Sequence, residues 1–278
     1  MFPTVGKEAM EPGFAPSEID TTTPHPARMY NALLGGKDNY PPDREAVRQV
    51  LKAAPEVRDS ARANRAFLQR AVRFLVGEMG IRQVIDIGTG IPSAGNVHQV
   101  AGQIAPETRV AYVDNDPIVH VHANALLTGT GTTSIVLADL RDPGAILAHP
   151  KVGALIDFGQ PVALLLVAIT HFLTDAEDPA RIIAVLRDAL PEGSYLALSH
   201  ATGDFRPGAA QNAAAVYDQA TSAVTLRSHA QVAALLGGWD LIEPGLVQVL
   251  LWRPDGQPPR PKELARTWVY GGVARKSR

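Results

Sequence analysis

The sequence predicts an α/β fold: a seven-stranded mixed sheet with helices on both faces, under an N-terminal helical cap. Three observations predict it. Beyond Gly80, short runs of Val, Ile, Leu and Ala alternate with helical stretches, the pattern of a parallel sheet built from strand–helix–strand units. Those runs are apolar throughout instead of alternating with polar residues, which fits strands covered on both faces. Two more strand-like segments, starting at Trp239 and Thr267, follow a helical stretch near the end of the chain and place an antiparallel edge on the sheet.

Residues 1–26 are rich in Pro, Thr and Glu without periodicity and read as a flexible N-terminal arm. Residues 27–80 read as the helical cap. A short helix over ARMYNALL stops at Gly35-Gly36, a helix-ending pair. Pro41-Pro42-Asp43 opens a second helix, which Pro55 ends. A third runs from about Val57 to Met79, with Ala63, Ala66, Phe67, Ala71, Phe74 and Leu75 at three- and four-residue steps. Residues 81–278 read as the sheet domain. Its first strand is QVIDI, followed by the turn GTGIPSAG and a helix over about Asn96 to Ile104. RVAYVD is the second strand, and Asp116-Pro117 opens the next helix with Pro at its first position. SIVLAD, the helix PGAILAHP, VALLLVAI, a helix over about Pro179 to Leu190 and SYLALSH continue the alternation. ATGDFRPGAAQ reads as a loop, and AAAVYDQA and SHAQVAALLGG as helices. WDLIEPGLVQVLLW and TWVYGGVA read as the last strands, joined by RPDGQPPRPKELAR, too rich in Pro and charge for a buried element.

Composition sets the outer limits. With 278 residues, 46% of them hydrophobic and 19% charged, the chain has enough apolar material to offset the entropy of ordering. Lys and Arg total 26 against 28 Asp and Glu, a balance without the concentrated positive surface that nucleic acid requires, so no nucleic-acid partner is expected. Cysteine is absent, which removes disulfides, thiolate-held metals and thiol catalysis together. The histidines show no H-x-x-x-H or H-E-x-x-H spacing, so no metal is expected, and the lack of a G-x-S-x-G elbow argues against a serine hydrolase. The first twenty residues carry no signal-peptide pattern, and the longest apolar run, Pro161 to Ile169, is far too short to span a bilayer. The expectation is a cytoplasmic protein with no membrane partner; on oligomeric state the sequence is silent.

The residues with chemical meaning gather at the carboxyl ends of the strands, where open α/β sheets bind ligands. In VIDIGTG, Gly88 and Gly90, with Thr89 between them, let backbone approach a ligand where a Cβ would clash; a plain tight turn is the other reading of the glycines alone. The turn lacks the third glycine of a dinucleotide fingerprint, Pro92 removes an N–H donor, and Asp86 would repel a pyrophosphate. That carboxylate suits a ligand with an ammonium or sulfonium centre. Asp114 ends the second strand, where an acid accepts hydrogen bonds from ribose hydroxyls. Asp139 ends the third, where a carboxylate can accept from an exocyclic adenine amine. Asp116 and Asp142, each followed by Pro, read as helix N-caps. A bare fold does not need acids at three successive strand ends, so the combination points to a nucleoside-bearing ligand.

On these motifs the chain resembles the class I S-adenosylmethionine-dependent methyltransferases over about Gln83 to Leu198, which implies a Rossmann-like sheet. More specifically, it is similar to an actinobacterial S-adenosyl methyltransferase family of undefined substrate (DUF574-like). That resemblance runs from about Pro26 to Arg275 through YNALLGGKDNY, ARANRAFLQRAVRFL, DIGTGIPSAGNVH, YVDNDP, ADLRDP, LLLVAITHFL, LSHAT and WVYGGVAR. The resemblance implies S-adenosyl-L-methionine as cofactor. The glycine turn would hold its methionine part, Asp86 its ammonium directly or through water, Asp114 its ribose and Asp139 its adenine, with Asn115, Leu140 and Ala168 beside them. Related methyltransferases place an Arg before the first strand for the methionine carboxylate, which a guanidinium binds in bidentate fashion. Arg65, then Arg62, three apart on one helical face, are the expected residues, whereas Arg58, Arg70 and Arg73 are expected to be solvated.

YNALLGGKDNY carries Tyr30, Lys37, Asp38 and Asn39 around its glycine pair. The segment reads either as a lid that excludes water from the cofactor or as ordinary turn chemistry. AITHFL follows the fourth strand. Base-methylating enzymes resemble one another in an Asn/Asp-Pro-Pro-aromatic motif there, and Ala168-Ile169-Thr170-His171 departs from it, which argues against an exocyclic amine on a base as target. His171 is the catalytic residue expected, as general base or substrate-orienting group, with a strand-end cap as the other reading. Ser199, His200 and Thr202 follow the fifth strand, where an acceptor would sit. The expected function is in-line methyl transfer to a small-molecule acceptor. Two rivals share the motif: a non-catalytic sensor or scaffold that binds the same cofactor, and a nicotinamide-dependent oxidoreductase, which Asp86, Pro92 and the missing glycine disfavour.

Overall fold

The computed structural model of the chain describes residues 20–93, 95–127 and 131–277. Three helices precede the sheet. α1 (Pro26–Leu33) and α2 (Pro41–Ala53) both open on proline, and α3 (Val57–Arg73) runs on through one wider turn over Phe74–Glu78. Proline suits a first helical position because its φ is pre-set and its missing N–H would have no intrahelical partner. The last residues of the segment read as an arm are held in place. Asp43 Oδ1 accepts the His25 amide at 2.9 Å, the Pro24 carbonyl accepts the Thr221 amide at 3.0 Å, and Pro26 is the buried first residue of α1. Residues 1–19 of that segment lie outside the described residues.

Strand and helix then alternate: β1 (Gln83–Ile87), α4 (Val97–Gly102), β2 (Arg109–Asp114), α5 (Pro117–Leu127), β3 (Thr133–Leu137), α6 (Pro143–Ala148), α7 (Pro150–Leu155), β4 (Ala163–Val167), α8 (Pro179–Ala189) and β5 (Tyr195–Ala201). After α9 (Pro207–Val216) and α10 (His229–Leu235) come β6 (Asp240–Leu241), β7 (Val247–Gln248), α11 (Pro261–Leu264) and β8 (Val269–Arg275). Strands β1 to β5 are parallel and β8 runs antiparallel to β5, in the order β3-β2-β1-β4-β5-β8-β6, with β7 also paired to β8. The chain leaves β1 toward β2 and β3, then crosses back so that β4 lies on the other side of β1. The loops after β1 and β4 therefore diverge and open a crevice at their carboxyl ends.

Two readings need correction. The strand read over Trp239–Trp252 is broken: only β6 and β7 pair with β8, and Val249–Leu251 coils into a short helix. Pro244 between them has no N–H for a ladder and Gly245 takes φ +88°. The sheet thus has eight strands, the added one arising from that break. ATGDFRPGAAQ is a loop only as far as Arg206; Pro207 opens α9, and the alanines that follow favour the helix.

Side chains alternate along β1, so Val84 faces one side of the sheet and Ile85 and Ile87 the other. On the first side α3 and α4 pack over Phe67, Leu165 and the fully buried Trp252, whose ring meets Phe67 and Phe74 edge-on at 5.4 and 5.7 Å. Arg70, expected in solvent, is buried here and donates to the Trp252 and Val249 carbonyls, tying α3 to the segment after β7. The second side packs Leu164, Leu166 and Leu198 against Ile182 and Leu186 of α8. A third cluster joins Met29, Leu33, Val47 and Val50 of the cap to Ala210 and Ala213 of α9 and to Trp268. α9 therefore completes the apolar interior of the cap from a distant part of the chain. Among the described residues no helix is long and apolar enough to cross a membrane.

Candidate active site

The crevice between the β1 and β4 loops continues beneath the cap as one cavity. Asp86, Gly88, Thr89, Gly90, Asp114, Asn115, Asp139, Leu140 and Ala168 line its sheet side, with Arg65, Tyr30 and His171 around them. Its cap side is formed by Leu33, Val50, Val57, Ala213, Tyr217 and Trp268, among others.

The glycine turn has two distinct jobs. The Gly88 and Thr89 amides both donate to the Val113 carbonyl, at 2.8 and 3.3 Å, folding the chain back over β2. Gly88 has φ +75°, and a Cβ there would stand 2.6 Å from the Ile169 side chain, so close packing against the β4 loop demands this glycine. At Gly90, φ +67°, a Cβ would meet nothing within 4 Å; what it would enter is the cavity. Gly88→Ala should therefore lower stability by about 2–4 kcal/mol, from left-handed strain plus overpacking. Gly90→Ala should cost less stability and weaken ligand binding more. Urea midpoints and calorimetry on both variants separate the two; equal stability losses would count against the distinction.

Two acids are buried at the base of the cavity. Asp114 Oδ2 accepts the Gly90 amide at 2.8 Å and Oδ1 the Asp116 amide at 3.0 Å. Burial pushes the Asp114 carboxyl up to about 7, against the pull of those two amides. Burial likewise pushes Asp86 up to about 6, with the Thr89 side chain and Arg65 pulling it back. Asp139 stands nearer the mouth, where Oδ2 accepts Asn115 Nδ2 at 3.0 Å and Oδ1 accepts the Arg141 amide at 2.9 Å. The Arg141 guanidinium also reaches Glu177 and the Phe172 carbonyl, joining the β3 and β4 loops. Arg65 donates from Nη2 to Asn96 Oδ1 at 2.7 Å, while its Nε is buried without a partner. Asp116 and Asp142 are N-caps as read, accepting the Ile118 and Ala145 amides at 2.9 and 3.0 Å.

Three expected residues stay off the cavity wall. Arg62 is exposed, because the buried face of α3 is centred on Ala61, Asn64 and Leu68. Lys37 is exposed, and Asn39 Nδ2 donates to Asn31 Oδ1 at 2.9 Å and to the Gly36 carbonyl at 3.0 Å. The segment around the glycine pair is thus the turn that ends α1, and only Tyr30 from it reaches the cavity. The Nδ1 of His171 accepts the Ala201 amide at 3.4 Å, and burial, then His200 and Arg227, hold its imidazole well below the usual range. The ring is neutral with its proton on Nε2, a hydrogen-bond donor and a poor general base.

Sequence reasoning missed a buried relay between the cap and the strand ends. Tyr30 donates to the Ala61 carbonyl at 3.0 Å, Asn64 Nδ2 donates to the Tyr30 hydroxyl at 3.0 Å, Ser199 Oγ donates to Asn64 Oδ1 at 2.6 Å, and the Ala168 amide donates to Ser199 Oγ at 2.9 Å. The relay holds Ala168 in the left-handed region, at φ +58°, where the β4 loop turns into the cavity. The sequence reading places an acceptor pocket on residues 1–60 and 200–235 without a motif to name its residues, and α9 in the second stretch supplies a wall from Ala210, Ala213, Ala214 and Tyr217, a stripe at helical spacing. Among the described residues no group of His, Cys, Asp or Glu is placed to hold a metal ion.

The model of the S-adenosyl methyltransferase family matches residues 12–277. The chain belongs to that family. Two solved structures resemble it over nearly their whole length. One is a DUF574 family protein from Streptomyces avermitilis MA-4680, with 43% identity and a TM-score of 0.89 over 93% of this chain and 99% of that one. The other is a candidate methyltransferase from Thermobifida fusca YX, with 39% identity and a TM-score of 0.89 over 95% of this chain and 98% of that one. The N-methyltransferase NodS from Bradyrhizobium japonicum WM9, solved with S-adenosyl-L-homocysteine, shares the fold at 14% identity and a TM-score of 0.50, over 90% of this chain and 100% of that one. No curated protein matches the chain. As a member of the family, this protein is an S-adenosylmethionine-dependent methyltransferase, and the nicotinamide reading falls away.

The residues of the S-adenosyl methyltransferase site fit that cofactor on their own evidence. Asp86 and Asp114 are acids raised by burial, with the Arg65 cation pulling Asp86 back. Arg65 has an unmatched N–H, and the space beside Gly90 is open. A ligand carrying ammonium, carboxylate and ribose hydroxyls answers each of these.

Proposed function

We propose that this S-adenosyl methyltransferase transfers a methyl group in line to a small molecule held under the helical cap. The observation that carries this reading is the continuity of the cavity, from the three strand-end acids to a chamber walled by α1, α2, α3 and α9. Such a chamber offers no flat face to a folded protein or a duplex. The cofactor, when bound, supplies an electrophilic methyl on a positively charged sulfur. Asp114 would accept from the ribose hydroxyls, Asp139 and Asn115 would serve the adenine edge, and Leu140 would give it an apolar surface. Asp86 and Arg65 would hold the amino and carboxylate ends of the methionine part. The cap keeps water from the reacting atoms and limits the orientations of the acceptor. Isothermal titration with S-adenosylmethionine, S-adenosylhomocysteine and NAD⁺ tests the first half of this reading. Micromolar binding of the first two is expected; binding of NAD⁺ alone would overturn it.

The titration of the two buried acids gives a further expectation. Asp86 at about 6 and Asp114 at about 7 accept more strongly, and through both oxygens, once ionised, so affinity for a cationic ligand with ribose hydroxyls should rise as pH climbs through those values. Both values lie above the ordinary 3.8, so the stability these groups contribute is present below that pH and is lost as pH rises through 6 and 7. Bound cofactor offsets that loss. The thermal shift it produces should therefore be larger near pH ~8 than near pH ~5.5. Scanning fluorimetry with and without cofactor at both values checks this, and an equal shift would contradict it.

A further inference from the structure

The cap half of the cavity also bears on the acceptor, if the methyl-transfer reading above holds. Most polar side chains on this half are consumed by the protein itself. Tyr30 and Asn64 are tied into the relay, Ser60 Oγ lies between the Arg266 carbonyl and the Trp268 amide, and Trp268 Nε1 donates to the Ala265 carbonyl. Thr202 Oγ1 accepts the Asp204 amide. Those that remain include the Nε2–H of His171 and the hydroxyls of Tyr217 and Ser222, none with a protein hydrogen-bond partner among the described residues. An acceptor that fills this space is mainly apolar, with one polar edge.

The charges around His171 say which kind of edge. No carboxylate stands on the cap half, so a cationic amine there would be buried without a counter-charge. From the sheet side, Arg227 is buried and donates to His200 Nε2 at 3.0 Å and to the Thr170 and Leu173 carbonyls. Its one carboxylate partner, Asp175, is 77% exposed and screened by water. From the cap side the titratable groups are His25, Arg65, Tyr30 and Tyr217; burial holds the His25 imidazole below its usual range and raises both phenols above theirs. The surroundings that keep a proton off His171 also favour an anion beside its N–H. None of these groups is a ready proton acceptor, so the nucleophile has to shed its proton before it is methylated.

We propose that the acceptor is an apolar molecule with an acidic hydroxyl, a phenol or an enol, which reaches the site as the oxygen anion and receives the His171 Nε2–H. The oxygen lone pair forms the new O–CH3 bond as the C–S bond breaks, and that electron pair passes to sulfur, leaving a neutral thioether. The negative charge on oxygen and the positive charge on sulfur disappear together, and the acceptor's proton has already left to solvent. His171 orients the anion and removes no proton.

The test uses 4-nitrophenol, whose neutral and anionic forms absorb at different wavelengths, with the whole protein saturated by S-adenosylmethionine. Cofactor binding is measured first by calorimetry. Its absence sinks the methyl-transfer reading, whereas its presence makes the next step a test of the acceptor alone. The expected result is that the probe binds as the anion, with its ionisation midpoint lowered by about one pH unit or more, and that benzylamine, a cation of similar size, does not bind. His171→Leu should lose the shift and His171→Gln, which keeps an N–H, should retain most of it, with cofactor affinity unchanged in both. Should either variant fail to fold, the spectrum of the native protein still decides. Binding as the neutral phenol, no binding to the cofactor-loaded protein, preference for benzylamine, or an undiminished shift in a folded His171→Leu would each overturn the proposal.

Discussion

Asp114→Ala is expected to weaken S-adenosylmethionine binding by about 100-fold or more, since a charged acceptor of two hydrogen bonds is worth roughly 3 kcal/mol. The loss has two parts. The carboxylate would no longer accept from the ribose, and the Gly90 and Asp116 amides that now donate to its two oxygens would lose their partner. Asp114→Asn separates the parts. An amide keeps one acceptor oxygen and so can satisfy only one of the two amides, while its NH2 faces the other. Its affinity should fall between that of the native protein and of the alanine variant. Its pH dependence should also lose the contribution near 7 that burial gives the native carboxyl. Calorimetry at several pH values reads both effects. Native-like affinity in a folded Asp114→Ala protein would remove this residue from the cofactor site.

Asn64→Leu should be the most damaging single change in the cap, costing about 2–4 kcal/mol of stability. Asn64 is 3% exposed, and both ends of its amide are used, one on Ser199 and one on Tyr30. A leucine of similar size removes the acceptor of the Ser199 hydroxyl and the donor to the Tyr30 hydroxyl in a buried position, leaving Tyr30 only the Ala61 carbonyl and Ser199 only the Ala168 amide. The effect extends to the site, because Ser199 in turn accepts the Ala168 amide, which holds the β4 loop in its left-handed bend. Thermal unfolding should show a fall of several degrees. Ser199→Ala should show a smaller one, and the double variant less than their sum, because the two residues share one network. Strict additivity would mean that the relay is two unrelated contacts.

The strand-end acids were legible in the sequence for a simple reason. A continuous apolar run marks a buried strand, a parallel sheet puts all its strand ends on one edge, and Asp86, Asp114 and Asp139 stand at three such ends. The caps at Asp116 and Asp142 were legible because capping is decided within four residues. Where two local readings were equally good, only packing chose. Arg62 and Arg65 are three apart on one helix, but α3 lies on the sheet so that Arg65 meets Asn96 and Arg62 meets water. Lys37 and Asn39 fitted a lid as well as a turn until Asn39 was found bonded back to Asn31. The strand over Trp239–Trp252 had the right composition, yet Pro244 and Gly245 break it at a point where only the partner β8 shows what pairing is lost.

By itself, then, the sequence determined the fold class, the sheet edge on which the three acids gather and the family to which the chain belongs, because these follow from periodicity and short motifs. The tertiary structure decided which residues wall the chamber under the cap. Its walls join α1 and α2 to α9 and Trp268, its relay spans Tyr30 to Ser199, and burial, then His200 and Arg227, hold its His171 below the usual range. Those partners lie far apart in the chain. Contacts of that kind depend on how whole elements pack, and no local pattern encodes them.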